Sequence, residues 1–565
     1  MGPMSAEPHT EVPQTPQGLV KPDGLSLCHA VLLWSAFAAI SLAVLEPALH
    51  GAFINDDYSL VVNHPYLNPF NEENLIAILD PFSDAAIHHS NYQPVTLLLF
   101  ALEKALFGSE TLGYHVVNAA VHALGCVLLV ALLIATRVPR LAAFLAGLIF
   151  AVHPANLEAV AWISQLKTDA ALAFALGAVL LQRRHPALAL ALFALGLLTK
   201  ASAIAALPMA AALSWSRRDA GRQWVWLAGW LVVVGLYAIP ELRAQVSIDG
   251  SPYPDRWVQI RSIFSFWARY LAMAATSYGV SPFQEPEPVH SILDPWWIGG
   301  LLAAVLFAWR TIAALRARSA EAAYWIFAAA SFGPISQIWP FMHPMADRYL
   351  YFILPGLIGG SLLAAMEFHT RWREAISDRE TRTRWSSIAT RGVAFGTAFV
   401  VIAFGIRSHA RAELWREELL LLQSAILRYP NGANASYYRA LLAAEQRDAE
   451  TAVRELRAAA ARSLGHAVRF SADSRFEPIS REPVFHELTD EIAGRWIEFA
   501  NSRGLENQIW LRSTGQAHRV RGEYREAIDC FERALRLGGP LQSAILIDLE
   551  FTRAQWREAR KAAAP

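Results

Sequence analysis

The sequence predicts an all-α, multi-pass membrane protein with a soluble helical domain at its C-terminal end, and three observations carry that prediction. Hydrophobic residues make up 54% of the 565-residue chain while charged residues make up only 17%, well below the roughly one-quarter usual for soluble domains. Apolar runs long enough to cross a bilayer recur from about residue 25 to residue 411. Beyond residue 411 the composition turns charged and Ala-rich, with helical periodicity. Forty-nine Lys and Arg balance 49 Asp and Glu, so no basic nucleic-acid surface is implied. Cys28, Cys126 and Cys530 lie far apart, which excludes a disulfide framework or a zinc-site spacing.

Residues 1–24 are polar and Pro-rich, with Lys21 the sole Lys or Arg, and read as a cytoplasmic tail. The apolar run 25–49 is too long for a signal-peptide core and reads as an uncleaved first span. The stretch 51–93 is polar but carries Phe, Tyr, Ile and Leu at intervals, which predicts a folded first extracytoplasmic loop. From 94 to 411 apolar helices follow one another, punctuated by basic clusters around Arg137, Arg183, Arg217, 310–318 and 371–391. The positive-inside rule puts those clusters in the cytoplasm and the opposite helix ends outside. Laying 257–278, with its Trp, Tyr and Arg residues, along the interface reconciles the parity and gives about eleven spans. The membrane domain is thus 25–411.

The remaining 412–565 reads as a short tetratricopeptide-like domain. In LRSTGQAHRVRGEYREAIDCFERALRL, Gly515, Gly522, Tyr524, Ala527, Phe531 and Ala534 fall at the small, aromatic and apolar positions of a helix-turn-helix repeat. An Ala-rich helical pair covers 437–464, and 469–509 fits the repeat poorly. Such repeats bury their faces only by stacking, so this short array leans on a neighbour.

Asn55-Asp56-Asp57 sits at the outer end of the first span. The two carboxylates read either as a solvated helix-end pair or as a general base with a neighbour that orients it. His153-Pro154 breaks an apolar run, and Glu158, Trp162, Lys167 and Asp169 follow. Ionisable groups at this depth mark either a polar packing network or a functional site. His153 and Glu158 stand five residues apart, which is not a zinc-protease spacing, and no metal site is expected. Lys200, between two apolar helices, and Arg348, in HPMADRYLYF, are cations on the outer side. Each reads either as snorkelling or ion-paired or as a ligand of lipid phosphate, for which the guanidinium fork of Arg348 is suited. Tyr349 and Tyr351 supply amphipathic rings. Gly356 and Gly360 form a GxxxG spacing that predicts close helix packing.

In order along the chain, FINDDYSLVVNHPYLNP, NYQPVTLLLFALEKALFGSETLGYHVVNAAVHALG, FAVHPANLEAVAWISQLKTDAALA, LGLLTKASAIAALP and HPMADRYLYFILPGL precede the repeat-like tail. This arrangement resembles bacterial relatives of the transmembrane and tetratricopeptide repeat-containing O-mannosyltransferases, of the GT-C superfamily. The resemblance runs from about residue 40 to the C-terminus and is weakest between 220 and 340.

The resemblance implies a GT-C-type helix bundle whose first extracytoplasmic loop carries the catalytic acid, here Asp56 or Asp57, with Asp56 first. That carboxylate would deprotonate an acceptor hydroxyl as it attacks the anomeric carbon of a polyprenyl-phosphate sugar, mannose favoured, by inverting single displacement. Arg348, Lys200 and Lys167 would meet the donor phosphate. His153, Glu158 and Tyr349 would orient the loop or the donor, and His88, His89 and Tyr92 would line the acceptor side. The acceptor implied is a Ser or Thr hydroxyl of a protein, or a glycan. No cofactor or metal is expected. The expected setting is a bacterial inner membrane with the tetratricopeptide-like domain in the periplasm, open to a protein partner. The array is shorter than in the animal enzymes, and Lys167 stands where related chains often carry Arg. The competing class is a non-catalytic membrane-anchored scaffold; a transporter would place its charges near mid-bilayer and show inverted repeats.

Overall fold

The computed structural model describes residues 25–88, 90–245, 251, 253–340, 343–376, 378–462, 473–504 and 506–562. Among them every regular element is helical. The tail 1–24 and His89 lie outside the described residues. The helices are α1 Leu27–Leu45, α2 Glu72–Leu79, α3 Asp84–His88, α4 Pro94–Phe107, α5 Thr111–Ala135, α6 Arg140–Ala151 and α7 Leu157–Ala161. Next come α8 Leu166–Leu181, α9 Pro186–Thr199, α10 Ala206–Arg217, α11 Gly221–Ala244, α12 Arg256–Thr276, α13 Pro295–Arg316, α14 Glu321–Phe332, α15 Asp347–Ala375 and α16 Arg379–Ala412. The tail adds α17 Glu418–Arg428, α18 Ala433–Glu445, α19 Ala449–Arg462, α20 Pro483–Arg503, α21 Gln508–Val520, α22 Tyr524–Leu537 and α23 Gln542–Ala562.

The span count differs from the sequence expectation of about eleven. Among the described residues seven helices are long and apolar enough to cross a membrane, or eight if α6 and α7, bent by 50° at the His153-Pro154 break, make one span. The physical reason is length. A helix rises 1.5 Å per residue, so about 20 residues are needed for a hydrocarbon core. The 14-residue α9 is apolar but too short, and α10 and α14, at 12 residues each, are shorter still. The 21-residue α12, with Arg256, Arg261 and Arg269, is not among the apolar spans either.

These short helices pack with α5, α8 and α15 into a single large core, in which Phe37, Phe150, Phe193, Trp230 and Tyr324 are fully buried. α14 and α15 cross closely: a methyl group on Gly356 would fall 2.6 Å from the Tyr324 carbonyl and from the Ala328 amide. Gly360 meets the Trp325 ring in the same way. The GxxxG spacing is thus a packing face.

The first loop is folded. Residues Tyr58–Val62 make one widened helical turn, and α2, α3 and α4 pack around Val61, Leu67, Ile78, Leu97 and Phe100 against Tyr114 of α5. Its far end is pinned to α11, where Glu241 accepts the Tyr92 amide at 2.8 Å and Arg243 donates to the Phe82 carbonyl.

The C-terminal helices stack as hairpins. In the pair α21–α22, Phe531 fills the space above Gly515, Gly522 turns the chain with a left-handed φ of 72°, and Ala527, Phe531 and Ala534 are buried with Leu511. This layer rests on the membrane domain at two places. Trp415 packs on Trp162 with ring centroids 5.9 Å apart, and Ala52 donates to the Arg416 carbonyl. Further along, Glu285 accepts the Ala433 amide at 3.0 Å and reaches that of Asn434, capping α18.

Candidate active site

The His153-Pro154 break creates the site. A broken helix at this depth leaves carbonyls without intrahelical partners, and they must be satisfied by side chains. Asn118 of α5 donates to the carbonyls of Val160, Trp162 and Ile163, at 3.0 to 3.4 Å. Asn156 donates to the Phe150 carbonyl at 2.7 Å and Ser408 to that of Val152 at 2.8 Å. His153 caps the turn after the break: its Nδ1 accepts the Ala155 amide at 3.2 Å. Its Nε2 lies 3.1 Å from the Ala274 carbonyl, and its ring meets Phe404. Both ring nitrogens are therefore committed to backbone, which makes His153 a packing residue of the break and leaves it no atom for a donor sugar.

The two loop carboxylates have separate surroundings. Asp57 is fully buried. Its Oδ2 accepts the Ile54 amide at 3.0 Å and its Oδ1 accepts the Ser164 amide at 2.8 Å, tying the loop to the broken segment. Trp162 Nε1 adds a 3.4 Å bond to the Ile54 carbonyl. Burial pushes the Asp57 carboxyl up to about 7, although both amides pull it down. Asp56 is exposed and lies within electrostatic reach of Lys167, Arg348 and Tyr349.

Lys167 and Arg348 lie within electrostatic reach of Asp56, and Lys200 within reach of both. Lys167 and Lys200 are both half-buried, and Lys200 Nζ donates to Thr168 Oγ1 at 2.6 Å. Lys167, Lys200 and Arg348 feel one another's charge, with Glu158 and Asp169 nearby as counter-charges for Lys200. Arg348 is ion-paired to the buried Glu158, whose second oxygen accepts the Arg348 amide at 2.8 Å. The guanidinium also lies over Trp162 at 5.4 Å and Tyr349 at 5.0 Å. Of the sequence-derived candidates, Asp56, Asp57, Glu158, Lys167, Lys200, Arg348 and Tyr349 are thus brought together.

The acceptor-side candidates are placed elsewhere. Tyr92 has its amide on Glu241 and its hydroxyl on the Leu79 carbonyl at 2.8 Å, so it is a knot in the loop rather than a binding group. His88 packs edge-on against His64 at 5.0 Å, and burial holds its imidazole down at about 4. Among the described residues no three His, Cys, Asp or Glu side chains are grouped to hold a metal ion.

Sequence reading missed two groups. Glu103 of α4 is 3% exposed, neither carboxylate oxygen has a hydrogen-bond partner, and burial together with the Asp57 charge pushes it up to about 9. Its spacing from Phe100 on the buried stripe of α4 is the signal that could have found it. Asp347, beside Arg348 in the chain, accepts the Ser281 amide at 2.8 Å and the Gln284 side-chain amide at 2.7 Å. No local pattern links residues so far apart in the chain.

Fold and site together define a multi-pass helical membrane protein that gathers an exposed carboxylate, a pinned carboxylate and three cations at one end of its bundle. Sequence comparison finds similarity to three named proteins among others. The chain is 34% identical over 158 residues to Protein O-mannosyl-transferase F38B6.6 of Caenorhabditis elegans, 26% of this chain and 22% of that protein. It is 32% identical over 121 residues to Protein O-mannosyl-transferase TMTC1 of Mus musculus, 20% of this chain and 13% of that protein. It is 40% identical over 100 residues to Protein O-mannosyl-transferase Tmtc1 of Drosophila melanogaster, 17% of this chain and 11% of that protein. Over these stretches the chain is similar to the protein O-mannosyl-transferases, and it matches less than a quarter of their length. No family model and no solved structure matches it.

Proposed function

We propose that the protein is a glycosyltransferase that moves a sugar, mannose favoured, from a polyprenyl-phosphate carrier to a protein Ser or Thr hydroxyl. The observation that supports this reading best is the division of labour between adjacent carboxylates. Asp57 is immobilised by two backbone amides, while its neighbour Asp56 stays exposed within electrostatic reach of Lys167 and Arg348. Asp56 takes the proton of the acceptor hydroxyl as its oxygen bonds to the anomeric carbon and the bond from that carbon to the phosphate oxygen breaks. One base and one displacement invert the anomeric centre. Charge then develops on the leaving phosphate, where Lys167 and Lys200 stabilise it, because fixed cations lower the barrier most where charge appears. Arg348, held by Glu158 and flanked by Trp162 and Tyr349, fixes the electrostatic frame and offers its remaining N–H groups to the same oxygens.

In this reading the carboxylate end of the bundle and the helical C-terminal domain face away from the cytoplasm, as the basic clusters at the opposite helix ends require. A bacterial inner membrane and a periplasmic acceptor fit the Ala- and Arg-rich composition. Neither a metal nor another cofactor is needed. The test is transfer from synthetic polyprenyl-phosphate mannose to a Ser/Thr-rich peptide pool by the purified protein. Wild type is expected to transfer with inversion and Asp56→Asn to fall by at least about 10³-fold, as expected when a positioned base is lost from a one-base mechanism. Undiminished transfer by Asp56→Asn would remove the base from this site.

A further inference from the structure

A second charged pocket lies where the helical C-terminal domain meets the loop between α12 and α13. It is a narrow, partly open cleft lined by Arg269, Tyr278, Gln284, Trp296, Arg428 and Tyr429 among others. Arg269 lies over the Trp296 ring at 4.8 Å and Arg428 over the Tyr278 ring at 4.9 Å, while the two rings stack at 6.4 Å with 16° between their planes. The two guanidinium groups repel each other across this small space. Among the described residues neither makes an ion pair, whereas most buried or half-buried arginines of the chain do. Arg269 has a single long hydrogen bond, 3.4 Å to Ser265 Oγ. Asp294 is within its electrostatic reach, but Oδ1 of that residue already accepts the amides of Trp296 and Trp297.

Two guanidinium groups held close together cost free energy, which Asp294 offsets in part for Arg269 and a bound anion lowers further. Planar N–H forks in pairs match the oxygens of a phosphate. The surroundings specify its source. Trp296 opens the membrane span α13, and Ile292 and Leu293 just before that helix are 69% and 77% exposed. Leu427, next to Arg428, is 88% exposed. Aromatic rings with exposed aliphatic side chains beside them characterise the level of lipid headgroups.

We propose that this pocket binds the phosphate group of a membrane lipid, separately from the site around Asp56. The bound lipid seats the C-terminal domain on the bundle: Tyr429 donates to Gln284 Oε1 at 2.6 Å, and Gln284 donates to Asp347 Oδ1 at 2.7 Å, next to Arg348. The inference stands on the pocket alone and holds whichever reaction the Asp56 site performs.

The test is native mass spectrometry of the full-length, delipidated protein in detergent, titrated with dioctanoyl phosphatidic acid and, as control, dioctanoylglycerol. Wild type is expected to retain phosphatidic acid and no diacylglycerol at matched concentration, and the Arg269→Gln/Arg428→Gln double variant one phosphatidic acid fewer. Arg269→Gln and Arg428→Gln are each expected to weaken that binding about tenfold, as for loss of one charge-assisted contact. Arg428→Lys keeps the charge, guards against a folding artefact, and is expected to weaken binding about threefold. Inorganic phosphate that fails to displace the lipid assigns the site to the lipid source. Displacement at equal concentration shows a site for the free anion instead and overturns the lipid assignment. Unchanged phosphatidic acid binding in the double Gln variant would overturn the proposal, as would Arg-dependent capture of a poly-Glu peptide without any lipid phosphate binding.

Discussion

Asp57 Oδ1 accepts the backbone amide of Ser164 at 2.8 Å, so a residue just beyond the first span is anchored to a helix break more than a hundred residues later. The partner atoms are both buried, and the bond fixes the loop on which Asp56 stands. Asp57→Asn places an amide N–H₂ against one of two backbone N–H donors, leaving a buried donor unsatisfied, which costs about 1–3 kcal/mol. The expected result is a lower unfolding temperature and faster proteolysis of 51–93, with transfer reduced but present. Asp56→Asn, by contrast, is expected to keep the wild-type unfolding temperature.

Glu103 gives a pH signature. Its carboxyl is raised to about 9 in the folded protein by burial and by the charge of Asp57. The folded state therefore holds a proton that the unfolded chain gives up near the ordinary carboxylate value. Stability from this group is full at low pH and falls as pH rises toward 9, by about 1.4 kcal/mol per pH unit inside that window. Glu103→Gln cannot titrate. Unfolding temperatures measured from pH 5 to 9 should show wild type losing ground to the variant at each step; parallel curves would contradict this.

The Glu158–Arg348 pair is buried on both sides, at 1% and 14% side-chain exposure. Breaking such a pair from one side strands a charge and costs about 3–5 kcal/mol. Glu158→Gln is expected to lose both stability and transfer. Glu158→Gln combined with Arg348→Met should recover the unfolding temperature without recovering transfer, which separates the structural from the electrostatic part of the pair.

Glu285 caps α18 through the amides of Ala433 and Asn434, at the end of the helix where partial positive charge collects. Glu285→Ala should cost about 1 kcal/mol, in the range of a lost cap. Hydrogen exchange at those two amides is expected to accelerate several-fold while amides of α21 and α22 keep their rates.

The parts of this molecule that local chemistry writes were readable in the sequence. Long apolar runs are set by the width of a bilayer, and the His153-Pro154 break by the clash a proline imposes. A cation such as Lys200, set between apolar helices, must find partners, and the structure surrounds it with Thr168, Glu158 and Asp169. The number of spans was not readable, because α9 looks like a membrane helix in composition and only its interruption makes it too short, while α10 and α14 are shorter still. Nor could the sequence separate Asp56 from Asp57, since the difference is made by the Ile54 and Ser164 amides, one of them remote. His153 and Tyr92 show the reverse case. Both are polar residues at conspicuous positions, and both spend their polar atoms on backbone.

Gly51 sits where the first loop leaves its span, and a methyl group there would come within 2.9 Å of the Trp415 carbonyl and 3.0 Å of Arg416 Cα. Together with the Ala52–Arg416 bond and the Trp162–Trp415 packing, that seam is closely packed. A side chain at position 51 would therefore wedge the start of the C-terminal domain away from the loop that carries Asp56.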